Sequence, residues 1–334
     1  MEHEYKTKMK LADIQSLIEP LRKQYRQAYN TLLGDGTGII ADINRHIMDL
    51  RGKQLRPTLT LLSAAACGLS LNAAPSHPIF KVTAAIEMLH NCTLIHDDVV
   101  DESSVRHGVP TANKVWNNKI AVLAGDYYLA KVMQTLNAVD IKPVTNIINE
   151  TVISMSCGEL EQQETCRHYN TSKEKYISII DKKTAVFMSA CCEIGAILAG
   201  AGETVQQTAR KYGRSLGLAF QIRDDLIDFL PTEYSGKPQG NDISEHKVTL
   251  PLINAMSMLD EDTKAEISTL LDKKALSDKE KETVSNLVIR NDIVLATRKE
   301  MEKHLLNAGN EAKKMPHNKY SEALLEISEM MKEI

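Results

Sequence analysis

Apolar residues recur along this chain at the three-to-four-residue spacing of amphipathic helices, and the two-residue alternation of a strand is almost absent. The pattern predicts a helix over 11–33, closed by Gly34-Asp35-Gly36, and a second over 39–50. A third covers 58–67, after Pro57 and before Gly68. Pro75 and Pro78 bracket a loop, and 79–102 is a long helix. Residues 103–118 read as loop and 119–137 as helix, and Pro143 opens another helix to about Cys166. Thr171 with Glu174 forms a capping box that opens a helix to about Asp181. Helices over 184–199, ended by Gly200 and Gly202, and over 203–229 follow. The stretch 231–247, rich in Gly and Pro, is the longest irregular one. Ser277 with Glu280 is a second capping box, and the rest is amphipathic helix. This is an all-α chain with no solenoid period and no low-complexity linker.

Two of these helices end in acidic clusters of the same form: Asp97-Asp98-Val99-Val100-Asp101 and Asp224-Asp225-Leu226-Ile227-Asp228. In each D-D-x-x-D the first and last carboxylates are i and i+4, so they share one helix face. Like charges at that spacing repel unless a cation lies between them. Hard oxygens with no Cys or His pair beside them favour Mg²⁺ over zinc. One such cluster reads as well as a solvated helix end; a repeat points to metal. The two triplets could meet across a cavity and hold several Mg²⁺, which prefers substrate phosphates to an all-protein cage, so a diphosphate substrate is implied.

Basic residues lie near both clusters. Lys53 and Arg56 stand in a Gly/Pro-bounded turn, Arg106 and His107 follow the first cluster, Lys183-Thr184 lies between the two, and Lys237 and Lys247 follow the second. Each alone reads as a solvated charge. Together they supply cations for two diphosphates, with Arg able to bind in bidentate fashion. Small residues crowd the central helices, as in Ala64-Ala65-Ala66 and Ala199-Gly200-Ala201-Gly202. They suit close helix packing, and at other positions they would leave room for a tunnel.

The length of 334 residues allows two domains, but acidic motifs that converge from far apart argue for one large domain over 1–334, with 1–10 a flexible tail. A net charge of −4 gives no electrostatic case for nucleic acid. The six cysteines lie mostly in apolar helical contexts without a C-x-x-C pair, which predicts reduced, buried thiols in a cytoplasmic protein. The first ten residues carry no apolar signal core, and no apolar run is long enough to span a membrane.

Over about residues 50 to 255 the sequence resembles the trans-isoprenyl diphosphate synthase (polyprenyl synthetase) family. The resemblance rests on Gly52-Lys53-x-x-Arg56-Pro57, Glu87-x-x-His90, His96-Asp97-Asp98-x-x-Asp101, Arg106-x-Gly108-x-Pro110-x-x-Asn113 and Ala124-Gly125-Asp126-Tyr127. It continues through Gly158-Glu159-x-x-Gln162, Lys183-Thr184-Ala185, Gln221-x-x-Asp224-Asp225-x-x-Asp228, Gly236-Lys237-Pro238, Gly240-x-Asp242 and Lys247-x-Thr249-Leu250-Pro251. It implies a bundle of about a dozen helices around a central cavity, a homodimer, and repeated condensation of isopentenyl diphosphate with an allylic diphosphate. Asp97, Asp101 and Asp224 would ligate Mg²⁺, with Asp98, Asp225 and Asp228 in the same network. Arg106, Lys183, Gln221 and Lys247 would serve the allylic diphosphate, and Lys53, Arg56 and His90 would bind isopentenyl diphosphate. Lys237 is a further substrate-binding candidate. His107 replaces a usual Arg of the isopentenyl diphosphate site, and Glu161 stands where an apolar residue is common.

The mechanism expected is Mg²⁺-assisted ionisation in a water-excluded pocket, with lone pairs of Gln221 and Thr184 near the allylic cation. Product length is expected to be read one turn before Asp97. Farnesyl-length members usually carry a bulky aromatic there, whereas this chain has Cys92 and Thr93, with Met88 and Leu89 a turn deeper. That favours a long, octaprenyl-like product over a geranylgeranyl or farnesyl one. A class I terpene cyclase would show a second metal motif of Asn/Asp, Ser/Thr and Glu. A di-iron bundle would need a second copy of Glu87-x-x-His90. A non-catalytic partner subunit would tend to lack motif aspartates, and none is missing.

Overall fold

The computed structural model describes residues 9–49, 52–106, 108–166, 171–230, 240–273 and 275–333. The fold is all-α. Among the described residues the only strands are Val105–Arg106 and Val109–Pro110, which pair antiparallel inside the predicted 103–118 loop and are followed by a short helix, Ala112–Val115. Contacts divide the chain into two compact units.

The first unit comprises Met1–Ile148, Cys191–Gln207 and Met315–Ala323. Its centre is built from the helices Leu55–Ala66 and Pro78–Val100, both apolar on most of their circumference and buried accordingly. The helix Leu55–Ala66 begins earlier than the apolar pattern suggests, because Pro57 fits a first turn that needs no N–H there. The single helix predicted over 11–33 is two, Leu11–Leu17 and Glu19–Leu33. They part at Ile18, since Pro20 offers no N–H to the preceding turn and forces the chain to restart. Gly195 shows why small residues recur: a Cβ there would come within 2.3 Å of the Thr60 carbonyl oxygen. This is close packing, not open space.

The second unit comprises Asn149–Ala190, Thr208–Lys314 and Leu324–Ile334. Its helix Lys173–Ile180 is capped by Ser172, whose Oγ accepts from the Lys175 N–H at 3.2 Å, rather than by the expected Thr171. The Ser277–Glu280 capping box is present. The helix Glu203–Phe229 spans the predicted bounds. A π-helical turn, Asp181–Ala185, separates Lys173–Ile180 from Val186–Leu198, and such turns are frequent at functional sites. Gly217 lets the long helix approach that turn, since a Cβ on it would lie 2.6 Å from the Ala185 Cα. A second apolar core around Phe229, Leu252, Ile267 and Val284 holds the later helices together.

The expectation of buried thiols needs correction. Cys92, Cys191 and Cys192 are buried and Cys67 and Cys166 half-buried, but Cys157 is exposed, on the same helix face as the exposed Ile153 and Leu160; all six are free thiols. Among the described residues no helix is long and apolar enough to cross a membrane.

Candidate active site

In the first unit, the helix Pro78–Val100 carries Asp97 and Asp98, and Asp101 is its C-cap. Asp97 and Asp101 are half-exposed, while Asp98 is buried. Arg106 reaches back from the strand pair and donates to Asp98 Oδ1 through Nε at 2.9 Å and a terminal nitrogen at 2.8 Å. Asn113 ties the same loop down, donating to the carbonyls of Asp98 and Ser103 at 3.1 Å each. The second aspartate of the motif therefore anchors Arg106, while the first and last stay half-exposed. His96 lies so close to Gly125 that a Cβ there would meet its Nε2 at 2.1 Å, which accounts for the glycine of Ala124-Gly125-Asp126.

Arg56 and His90 are brought together, with an Arg56 terminal nitrogen 3.0 Å from His90 Nε2. Guanidinium can only donate, so His90 Nε2 is the acceptor and its proton sits on Nδ1. Lys53 is exposed, and its carbonyl accepts from Gln15 at 2.9 Å. Of the residues assigned to product length, Met88 and Leu89 are buried. Cys92 is buried too and donates to the Gly125 carbonyl at 3.2 Å, so its side chain packs on the helix Asn118–Val139. Burial pushes its thiol up to about 12. Thr93 is half-buried and its hydroxyl donates to the His90 carbonyl at 2.8 Å.

In the second unit, Thr184, Gln221, Asp225 and a residue the sequence reading missed, Tyr176, form one chain. Thr184 Oγ1 donates to Gln221 Oε1 at 2.7 Å, and Gln221 Nε2 donates to Asp225 Oδ1 at 2.7 Å. Tyr176 donates to Asp225 Oδ2 at 2.6 Å. Burial raises the Asp225 carboxyl to about 6 against the pull of these two donors. Asp228 accepts from the N–H groups of Asn241 and Asp242 at 3.2 and 3.0 Å, pinning the short helix Asn241–Ser244. Asp242 itself is raised well above the usual carboxylate range, by burial and then by Asp228 and Asp225.

Two cations of this unit assigned to substrate, Lys183 and Lys247, are paired with acids. Lys183 pairs with Glu159 and donates to Gln162 Oε1 at 2.7 Å, and Lys247 pairs with Glu245. Burial alone would raise the Glu159 carboxyl, but Lys183 holds it below its ordinary value. Gly158 lets this happen: a Cβ on it would sit 2.8 Å from the Lys183 backbone nitrogen. Glu161 also finds its explanation, since it pairs with Lys175 at 3.0 Å and with Lys182. His107 and Lys237 lie outside the described residues. Tyr176 and Glu245 carried no motif signal; Tyr176 shares its buried face with Ile179 and Ile180 and reads as core.

Among the described residues no three His, Cys, Asp or Glu side chains converge into a ready-made metal cluster. The half-exposed Asp97 and Asp101 nevertheless fit Mg²⁺, which takes one or two carboxylates and completes its octahedron with water and phosphate oxygens.

The family profile described as polyprenyl synthetase matches residues 37–288. The chain belongs to the polyprenyl synthetase family. It is 37% identical over 218 residues to a geranylgeranyl diphosphate synthase of Methanosarcina mazei, an alignment spanning 64% of this chain and 66% of that protein. An all-trans-nonaprenyl-diphosphate synthase of Rhodobacter capsulatus is 36% identical over 247 residues, 72% of this chain and 74% of that one. The octaprenyl diphosphate synthase of Escherichia coli is 36% identical over 67% of this chain and 68% of its own length. A crystal structure of polyprenyl synthase from Caulobacter crescentus, complexed with calcium and isoprenyl diphosphate, superposes with a TM-score of 0.91 at 28% identity, covering 98% of this chain and 99% of that one. This polyprenyl synthetase is accordingly a prenyltransferase, a polyprenyl diphosphate synthase. The names of its relatives run from geranylgeranyl to decaprenyl and so fix the reaction class and not the product length.

Proposed function

We propose that this chain condenses isopentenyl diphosphate with an allylic diphosphate to give a long all-trans product, octaprenyl-like and roughly thirty to fifty carbons, at one turn of helix per isoprene unit. The observation that carries the reading is the absence of an aromatic floor. Leu89, Thr93 and Asp97 follow one another at i, i+4 and i+8 and so lie along one helix face, with Ala85 a further turn down. None is aromatic.

Lys53, Arg56 and His90 are assigned to isopentenyl diphosphate, a role that the Arg56–His90 contact supports by fixing the guanidinium in place. Arg106, Lys183 and Lys247 are assigned to the allylic diphosphate. Asp97 and Asp101 on the first motif, and Asp224 on the second, would each hold Mg²⁺ with the help of diphosphate oxygens, because among the described residues no triplet forms a cage on its own. Bound Mg²⁺ supplies charge neutralisation to the departing diphosphate. Thr184 and Gln221 present fixed oxygen lone pairs to the developing positive charge, and the apolar helices keep water from it.

The proposed assembly is a homodimer in the cytoplasm. Its support is an apolar cleft of about 220 Å³ lined by Ile39, Ile43, Leu123 and Tyr127, among others, with Leu123 55% and Ile39 44% exposed. The relative from Bacillus subtilis is named component 2 of a heptaprenyl diphosphate synthase, so a different partner is the second reading. The test is to incubate the purified chain alone with farnesyl diphosphate, isopentenyl diphosphate and Mg²⁺, separate the products by chromatography, and measure mass by light scattering. Products beyond thirty carbons from a particle of twice 37.2 kDa support the proposal. An inactive monomer rejects it.

A further inference from the structure

Tyr176 belongs to none of the motifs above, yet its hydroxyl is the end point of the hydrogen-bond chain through the site. The residue is 3% exposed and Asp225 4%. Both Asp225 oxygens are engaged by protein donors, Oδ2 by Tyr176 at 2.6 Å and Oδ1 by Gln221 Nε2 at 2.7 Å. Hydrogen bonds to a carboxylate are the strong ones, and an O–H···O⁻ contact is short, as here.

The chain fixes the Gln221 amide. An amide nitrogen only donates and an amide oxygen only accepts. With a carboxylate on one side, the nitrogen must point to Asp225 and Oε1 must face Thr184, whose Oγ1 donates to it at 2.7 Å. Flipping the amide would set its oxygen against the Asp225 carboxylate. Without the Tyr176 hydroxyl, Asp225 loses the donor that fixes its other oxygen, and its carboxylate is free to rotate.

We propose that Tyr176 is a positioning residue: through Asp225 it locks the Gln221 amide in the one orientation that presents Oε1, beside Thr184, to the substrate. The inference rests on the prenyl-transfer reading for what Gln221 does, and on geometry alone for how Gln221 is held. It makes Asp225 an organiser of the site and leaves direct metal ligation to its motif neighbours.

Tyr176→Phe removes only the hydroxyl. In steady-state assays its kcat is expected to fall about tenfold, with both substrate KM values within twofold of the parent. In a Gln221→Leu background the same change is expected to cost nothing further, because Tyr176 acts through Gln221. Asp225→Asn provides an independent arm, with a similar loss of kcat that is not compounded by Tyr176→Phe. Thermal melting of Tyr176→Phe, Gln221→Leu and the double variant reads the coupling without any reaction: the double variant's drop in Tm should be smaller than the sum of the single drops. Undiminished kcat in Tyr176→Phe, losses that multiply in the double variant, or additive Tm drops would overturn the inference. A parent chain that transfers no prenyl group sinks the proposed function instead, and the melting cycle still decides whether Tyr176 holds Gln221.

Discussion

Arg106 grips Asp98 from the loop beyond the first acidic motif, with two guanidinium nitrogens within 3 Å of one carboxylate oxygen. Asp98 is 3% exposed, so removing the cation leaves a buried carboxylate without its charge partner. Breaking such a pair from one side costs about 3–5 kcal/mol, far more than replacing the acid by its amide. Arg106→Gln is therefore expected to lower the melting temperature more than Asp98→Asn does. Both variants should raise the KM for the allylic diphosphate, since one removes the Arg106 guanidinium and the other releases it from its position. Equal melting temperatures in the two would mean that the pair is not what orders the loop.

The metal assignment makes a different demand. Asp97 and Asp224 are expected to contribute to turnover and little to folding. Asp97→Ala and Asp224→Ala should each cut kcat by orders of magnitude while circular dichroism at 222 nm stays at the parent value. Near-normal turnover in either variant, with saturating Mg²⁺, would reject it. Asp228→Ala should differ from both. Its oxygens accept from the N–H groups of Asn241 and Asp242, so that variant should lose stability as well as activity.

Helix existence was legible in the periodic apolar pattern, and the bounds of Glu203–Phe229 came out as read because acidic and apolar signals agree at both ends. The apolar period runs unbroken past Pro20, so it does not show that the proline ring parts the first helix in two. The strand pair in 103–118 escaped because two-residue strands hold no period to detect. The acidic motifs announced chemistry by repetition, but not which aspartate does what. Asp98 and Asp225 differ from Asp97 and Asp101 in burial and hydrogen bonding, and those depend on neighbours remote in sequence, Arg106 and Tyr176. The pairing of Glu161 with Lys175 and Lys182 was hidden for the same reason.

Glu300 offers a test of electrostatics away from the site. Burial alone would raise its carboxyl, but Lys173 at 2.6 Å and Lys303 at 3.1 Å outweigh it and hold the value below the ordinary 4.5. A carboxyl depressed on folding stabilises the native state above its unfolded value, and the contribution disappears as pH falls through the folded value. Glu300→Gln is thus expected to melt below the parent at pH 7, with the gap shrinking as pH falls below about 4.5. A gap that stays constant down to pH 3 would assign the effect to packing.

Product length is where Cys92 and Thr93 part company. The first four residues of interest, Ala85, Leu89, Thr93 and Asp97, repeat every four positions, so a prenyl tail entering beside Asp97 would run along them. Each turn advances about 5.4 Å, close to one extended isoprene unit. Cys92 lies to one side of that line, with its sulfur 3.2 Å from the Gly125 carbonyl oxygen. Phenylalanine at 92 must therefore push into the helix Asn118–Val139, where His96 already leaves no room at Gly125. Cys92→Phe is expected to lower the melting temperature by several degrees, an overpacking cost of about 1–3 kcal/mol. Thr93→Phe, at a half-buried position on the Asp97 face, should be tolerated and should floor the path. Its products are expected to stop at fifteen or twenty carbons, while the parent continues to about thirty or beyond. Chromatography of dephosphorylated products, run beside melting curves for both variants, separates the two effects. Long products from an active, well-folded Thr93→Phe would show that the tail does not pass this face. Short products from Cys92→Phe alone would move the floor to the Gly125 side of the helix.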